Sequence, residues 1–151
     1  LGKVIAVGRK DLDLTDTNAI RKKITEIKPQ IIINAAAYTA VDQAEKEPEL
    51  ANAINAIAPQ IMAEEAKKCG ALLIHYSTDY IFDGQTNTPY TEEDETKPVN
   101  VYGKTKLSGE QAIQSIDNHH LIFRLSWVYG LRGKNFLLTI KRLNHKKICQ
   151  F

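Results

Sequence analysis

Ile31-Ile32-Ile33-Asn34-Ala35-Ala36-Ala37 is the stretch that decides the fold. Three successive β-branched residues are stiff at χ1 and favour extended backbone. A run that is apolar at every position, not at alternate ones, suits a strand covered on both faces, as in a parallel sheet. The run breaks at Asn34, and Ala35–Ala37 follow, where small side chains let a ligand approach the backbone. Downstream, Pro48 opens a long helix through Lys68, with Ala51, Ile54, Ala58, Ile61, Met62 and Ala66 as its apolar stripe and Gly70 at its end. Leu72-Leu73-Ile74 is then a further buried strand. Upstream, Asp13-Leu14-Thr15-Asp16 offers capping oxygens to a helix carrying Ile20, Ile24 and Ile27, which Lys28-Pro29 ends. Before it, Val4–Val7 reads as a strand ending at Gly8.

The same alternation continues. Asp83–Pro98, rich in Gly, Pro, Thr and acidic residues, is a surface loop. Val101 to about Ile116 is helical, Leu121-Ile122-Phe123 is a strand, and Phe136 to Leu143 starts another helix. Strands that are continuous apolar runs, each followed by an amphipathic helix, predict a Rossmann-like α/β fold with a doubly wound parallel sheet. No internal repeat or low-complexity segment interrupts it.

Composition agrees and excludes several classes. The 151 residues are 43% hydrophobic and 25% charged, values of a globular domain and not of a disordered chain. The longest apolar run is far short of the ~18–20 residues of a membrane span. A net charge of +2 with no basic stripe gives no case for nucleic acid. Cys69 and Cys149 are too few for a disulfide framework and have no zinc-ligand spacing, so a reducing cytoplasm is expected and no metal site is read from them.

Polar residues gather where the strands emerge, which is where open parallel sheets bind ligands. They form three clusters: Asn34 to Thr39, Tyr76 to Tyr80, and Arg124 to Gly130. A fourth pattern is Tyr102-Gly-Lys-Thr-Lys106. Residues four apart share one helix face, and a Lys⁺ beside a phenol favours the tyrosinate and lowers the Tyr pKa, which suits general acid–base work. With six tyrosines and many lysines in the chain, such a pair alone decides little. Together with the three clusters it points to one composite site. Cofactor choice is written in Gly8-Arg9-Lys10. An acidic residue at the end of the second strand of a dinucleotide fold bonds the ribose hydroxyls of NAD, whereas Arg9 and Lys10 suit a 2′-phosphate, so NADPH is expected over NADH.

Four segments carry a resemblance that runs essentially end to end. They are Asn34 to Asp42 (NAAAYTAVD), Tyr76 to Gly84 (YSTDYIFDG), Asn100 to Glu110 (NVYGKTKLSGE) and Phe123 to Tyr129 (FRLSWVY). In order and spacing, with Thr78 and Tyr102 separated by 24 positions, they resemble the extended short-chain dehydrogenase/reductases, and within them the dTDP-4-dehydrorhamnose reductases. The resemblance implies NAD(P)H-dependent reduction of the 4-keto group of dTDP-4-dehydro-L-rhamnose to dTDP-L-rhamnose. It makes Tyr102 the proton donor. Lys106 lowers the Tyr102 pKa and holds the nicotinamide ribose. Thr78 stands where most relatives carry Ser and orients the keto oxygen. Asp79 and Trp127 match substrate-contacting positions; Asp13, Leu14, Ala37, Tyr38, Thr39 and Tyr76 match cofactor-contacting ones. Related 4,6-dehydratases carry Thr-Asp-Glu where this chain has Thr78-Asp79-Tyr80, so the elimination acid/base is absent and reduction fits better than dehydration. The alternative is a non-catalytic, dinucleotide-binding regulatory subunit similar to the β subunit of methionine adenosyltransferase. Some relatives bind Mg²⁺ at a homodimer contact through acidic residues without a clear match here, so the resemblance leaves metal and dimer open.

One family element has no counterpart. The glycine-rich turn whose backbone N–H groups bind pyrophosphate does not occur in the sequence, and Val4–Val7 corresponds to the family's second strand. The chain has no initiator Met and ends near Lys146-Lys147, before the region that supplies most of the sugar-nucleotide pocket in relatives. Residues 1–151 are therefore expected to be a partial dinucleotide-binding domain, with two sheet edges unpaired, apolar surface exposed and no activity on its own.

Overall fold

Asp16 starts the first helix as expected: its side chain accepts from the Ala19 N–H at 2.9 Å, and α1 runs Thr17–Ile27 before Lys28 turns left-handed (φ 47°). In the computed structural model, which describes residues 2–116, 119–132 and 135–145, β1 (Ile31–Asn34) follows. A short helix α2 (Val41–Ala44) leads to one continuous helical rod. This is α3 (Pro48–Asn52), a π turn (Ala53–Ile57) and α4 (Ala58–Cys69). Then come β2 (Leu72–Thr78), a 3₁₀ turn (Asp79–Ile81), the long loop, α5 (Val101–Ser115), β3 (His120–Leu125) and α6 (Phe136–His145). Asn100 caps α5, accepting from the Gly103 N–H at 2.7 Å. Cys149 and Lys146-Lys147 lie outside the described residues.

The three strands form a parallel sheet in the order β1-β2-β3, with Ile33 opposite Ile74, and Ile74 opposite Leu121. The α/β class and the parallel sheet thus hold. Because side chains alternate along a strand, Leu73, His75 and Ser77 share one face, under α1, α4 and α5. There Leu73 packs with Ile20, Ile24, Ile61, Met62 and Ile113 in the core. On the other face Ile31, Ile33, Tyr76, Leu121 and Phe123 are exposed. The expectation that these strands are covered on both faces is corrected here: apolar runs establish that a strand can be buried, while cover depends on what packs against it.

Val4–Val7 is a second correction. Its residues are exposed and join no strand. β-Branched residues favour extended backbone, but a strand exists only where a neighbour takes its N–H and C=O groups. Among the described residues nothing pairs with the outer edge of β1.

Two glycines set how close α5 approaches. A Cβ at Gly103 would stand 2.2 Å from the Tyr80 carbonyl oxygen, and one at Gly109 2.2 Å from the Asn55 carbonyl oxygen in the π turn. No other residue permits these contacts, and they bring Tyr102 and Lys106 up to the end of β2.

Candidate active site

The end of β2 supplies Thr78, buried, and the 3₁₀ turn supplies Asp79 and Tyr80. The Thr78 hydroxyl donates to Asp79 Oδ1 and accepts the Tyr80 N–H, each at 3.2 Å, which fixes its rotamer. Tyr102, in the first turn of α5, meets the Tyr80 ring edge-on at 5.5 Å. Burial raises the Tyr102 pKa and the neighbouring Thr78 hydroxyl lowers it, while the Asp79 carboxylate adds to the rise. Lys106, expected to lower it, is not among the groups that move it. The Lys106 amine sits one turn along α5, 1% exposed, but donates to the Tyr76 carbonyl at 2.6 Å and lies 3.2 Å from His75 Nε2. Its charge is spent on β2 and not on the phenol. Burial also brings Lys106 itself down to about 8, against an opposing pull from Glu110, and keeps His75 neutral, its pKa lowered to about 3.

His75 gave no signal in the sequence, and Asn34, which heads a polar cluster, gave none of its partner: the two meet only when β1 and β2 pair, placing Asn34 Nδ2 3.0 Å from His75 Nδ1. Glu110 lies four residues beyond Lys106 on the same helix face, a spacing that could have revealed it. It is fully buried and ion-paired to Arg124 of β3 at 2.8 Å. Asn55, in the π turn, accepts the Tyr38 N–H at 2.8 Å and donates to the Tyr38 carbonyl and to Thr105 Oγ1, both at 3.1 Å. One buried amide therefore ties the Tyr38 loop to the helix that carries Tyr102 and Lys106.

The remaining candidates are placed less closely. Tyr38 donates its hydroxyl to Glu47 at 2.6 Å, with Ala37 half-buried and Thr39 exposed beside it. The Tyr76 ring lies on the open sheet face against Phe123, so only its carbonyl reaches Lys106. Trp127 is 61% exposed and packs on Phe136 of α6. At the other end of the sequence, Arg9 lies in an exposed turn closed by bonds between Gly8 and Asp11. The neighbouring Asp13 accepts the Thr15 N–H and hydroxyl, both at 2.9 Å; these bonds, with a smaller contribution from the Arg9 charge, hold its carboxyl below the ordinary value. Leu14 packs against the core instead of facing out. Among the described residues no group of three or more His, Cys, Asp and Glu could hold a metal ion, and no helix is long and apolar enough to cross a membrane.

Comparison with known proteins matches residues 2–148 to the family described as the RmlD substrate binding domain. The chain belongs to that family. It is 50% identical over 131 residues to the dTDP-4-dehydrorhamnose reductase of Escherichia coli (strain K12), covering 87% of this chain and 44% of that protein. The crystal structure of a dTDP-4-dehydrorhamnose reductase from Clostridium acetobutylicum superposes with a TM-score of 0.91 at 43% identity, over 95% of this chain and 51% of that one. The reductase of Bacillus anthracis in complex with NADP gives 0.89 at 43% identity, over 93% and 50%. The RmlD-family chain thus spans about half the length of the relatives it matches.

Proposed function

We propose that this chain carries the proton-delivering half of an NADPH-dependent reductase that converts the 4-keto group of dTDP-4-dehydro-L-rhamnose to the alcohol of dTDP-L-rhamnose. The observation that carries the reading is the union of Thr78, Tyr102 and Lys106 at the end of β2, in a chain half identical to a reductase of that name. When bound, the nicotinamide supplies a hydride. Charge then develops on the keto oxygen, and fixed donors stabilise it more in the transition state than in the ground state. Thr78 and Tyr102 are those donors. A phenol held above its ordinary pKa is fully protonated near neutral pH, the state a reductase needs in order to give its proton away. Tyr80, packed on Tyr102, offers no carboxylate for elimination.

The residues present fit the two ends of the cofactor and not its middle. Lys106 suits the nicotinamide ribose, and Arg9 with Lys10 suits an adenosine 2′-phosphate, which favours NADPH. The pyrophosphate has no glycine turn to receive it in this sequence. With the open β1 edge and the lengths of the relatives, this supports residues 1–151 as part of a larger dinucleotide-binding domain, inactive by itself and completed in the full-length protein. The free cysteine Cys69 suits a cytoplasmic enzyme.

The deciding experiment is Tyr102→Phe in the full-length protein. Turnover of dTDP-4-dehydro-L-rhamnose with NADPH should fall by about 10²–10⁴ while NADPH binding is kept. Near-normal turnover would sink the assignment of Tyr102 as proton donor.

A further inference from the structure

Arg124 opens the third polar cluster, has no part in the chemistry above, and touches three separate elements. In the β2–β3 register it stands beside Ser77, so its side chain lies on the covered face. Its Nε and Nη2 donate to the Glu110 carboxylate of α5, the shortest of these bonds being 2.8 Å, and Glu110 is 1% exposed. Its Nη1 donates to the Glu92 carbonyl at 3.3 Å, in the loop between the 3₁₀ turn and α5. The guanidinium also lies 5.5 Å from the centroid of the Phe82 ring. Phe82 closes the turn that begins at Thr78, its N–H donating to the Asp79 carbonyl at 3.0 Å. Tyr90 stacks on the same ring at 4.2 Å and donates its hydroxyl to Asp83 at 2.9 Å, which folds the first half of the loop onto Phe82.

A planar guanidinium with five fixed donors suits such a junction. It holds a carboxylate by one edge and a carbonyl by another while its face rests on a ring. A lysine ammonium is a point charge on a flexible stem and cannot meet all three partners at once. We propose that Arg124 is a positioning residue that sets the spacing between the two proton donors, by joining the turn that carries Thr78 and the helix that carries Tyr102 to one guanidinium. Thr78 stands four residues before Phe82, and Tyr102 about two turns before Glu110 on α5. Arg124 acts through these carriers and not on the hydroxyls themselves. The segment that links the carriers along the chain is largely exposed and by itself fixes no separation. The catalytic consequence rests on the reductase reading, in which both hydroxyls must reach one keto oxygen. The anchoring of the loop does not depend on that reading.

Arg124→Lys in the full-length protein keeps a cation beside buried Glu110 and gives up the hold on Glu92 and Phe82. Amide hydrogen exchange without any ligand should speed up about tenfold across 83–98, with Leu73 in the core unchanged. Turnover of dTDP-4-dehydro-L-rhamnose, counted per NADPH-binding site, should fall about tenfold, as expected of a donor moved by a fraction of an ångström. The KM for NADPH should stay the same. The solvent deuterium isotope effect on kcat should grow, because proton delivery is the step put out of line; a mere loss of folded protein would leave that effect as it is. Phe82→Leu removes the ring and leaves the ion pair, and should reproduce these changes. Combined with Arg124→Lys it should add little, since both break the same hold. Unchanged exchange in Arg124→Lys would overturn the anchoring, and faster exchange with normal turnover per site would overturn the positioning role. A wild-type protein that does not reduce this sugar would instead refute the reductase reading, and exchange would still decide whether Arg124 holds the loop. Should Phe82→Leu fail to fold, Arg124→Lys decides.

Discussion

The two faces of the sheet are built from the same kinds of residue and have opposite fates. Leu73 is fully buried under α4 and α5, whereas Ile33, on the opposite face of the adjoining strand, is 60% exposed. The covered face carries His75 and Ser77, and Thr78, the last residue of β2, is buried at the strand's end. The open face carries apolar side chains and the Tyr76–Phe123 ring pair. The difference teaches that helix cover, not hydrophobicity, makes a strand face into a site. Helices bring donors and acceptors of their own, and they exclude the water that would otherwise satisfy His75 and Lys106.

The strongest way to break the covered face is at its tightest contact. Gly109→Ala sets a Cβ against the Asn55 carbonyl, so the π turn or α5 must shift. Stability of the full-length protein should fall by about 3 kcal/mol or more, read by urea unfolding. A loss under ~1 kcal/mol would mean the helix approach is looser than described.

The next largest effect compares the faces directly. Leu73→Ala should cost about 3 kcal/mol in any context, as a core truncation. Ile33→Ala should cost under ~0.5 kcal/mol in the 151-residue chain, as a surface change, and clearly more in the full-length protein if further chain covers that face. Equal costs in both contexts would show that nothing is added there.

Acid stability sharpens the contrast further. His75 has a folded pKa of about 3, below the ordinary 6.5, so the native state stays neutral while the unfolded chain takes up a proton. Its contribution is complete above pH 6.5 and is lost as pH falls toward 3, at ~1.4 kcal/mol per unit. Urea unfolding at several pH values should show this slope in the wild type and a flatter one in His75→Phe. Identical slopes would place the proton uptake elsewhere.

The smallest effect falls on Ser77, whose buried hydroxyl has no hydrogen-bond partner among the described residues. Ser77→Ala should change stability by no more than ~0.5 kcal/mol, or raise it. A loss above ~1 kcal/mol would reveal a bond to that hydroxyl.

Much was legible in the sequence because it is local. The cap at Asp16, the Pro48 start and the Gly70 stop fix helices through neighbours a few residues away. The order and spacing of four segments carry the family resemblance without any tertiary contact. The failures are all questions of partnership. Val4–Val7 has the composition of a strand and no strand beside it, and Ile31–Ile33 has the composition of a doubly covered strand and cover on one side.

The sequence by itself therefore determined most of the elements, the parallel α/β class, the family and the candidacy of Thr78, Tyr102 and Lys106. Only the tertiary structure decided which face of the sheet is dry and where the Lys106 ammonium or amine is directed. It also set which way the Tyr102 pKa moves and joined Asn34, His75 and Glu110 to the site. The reason is physical: helix and strand signals are carried by residues close in sequence, whereas burial, hydrogen-bond direction and charge state depend on groups that meet only when β1, β2 and α5 pack together.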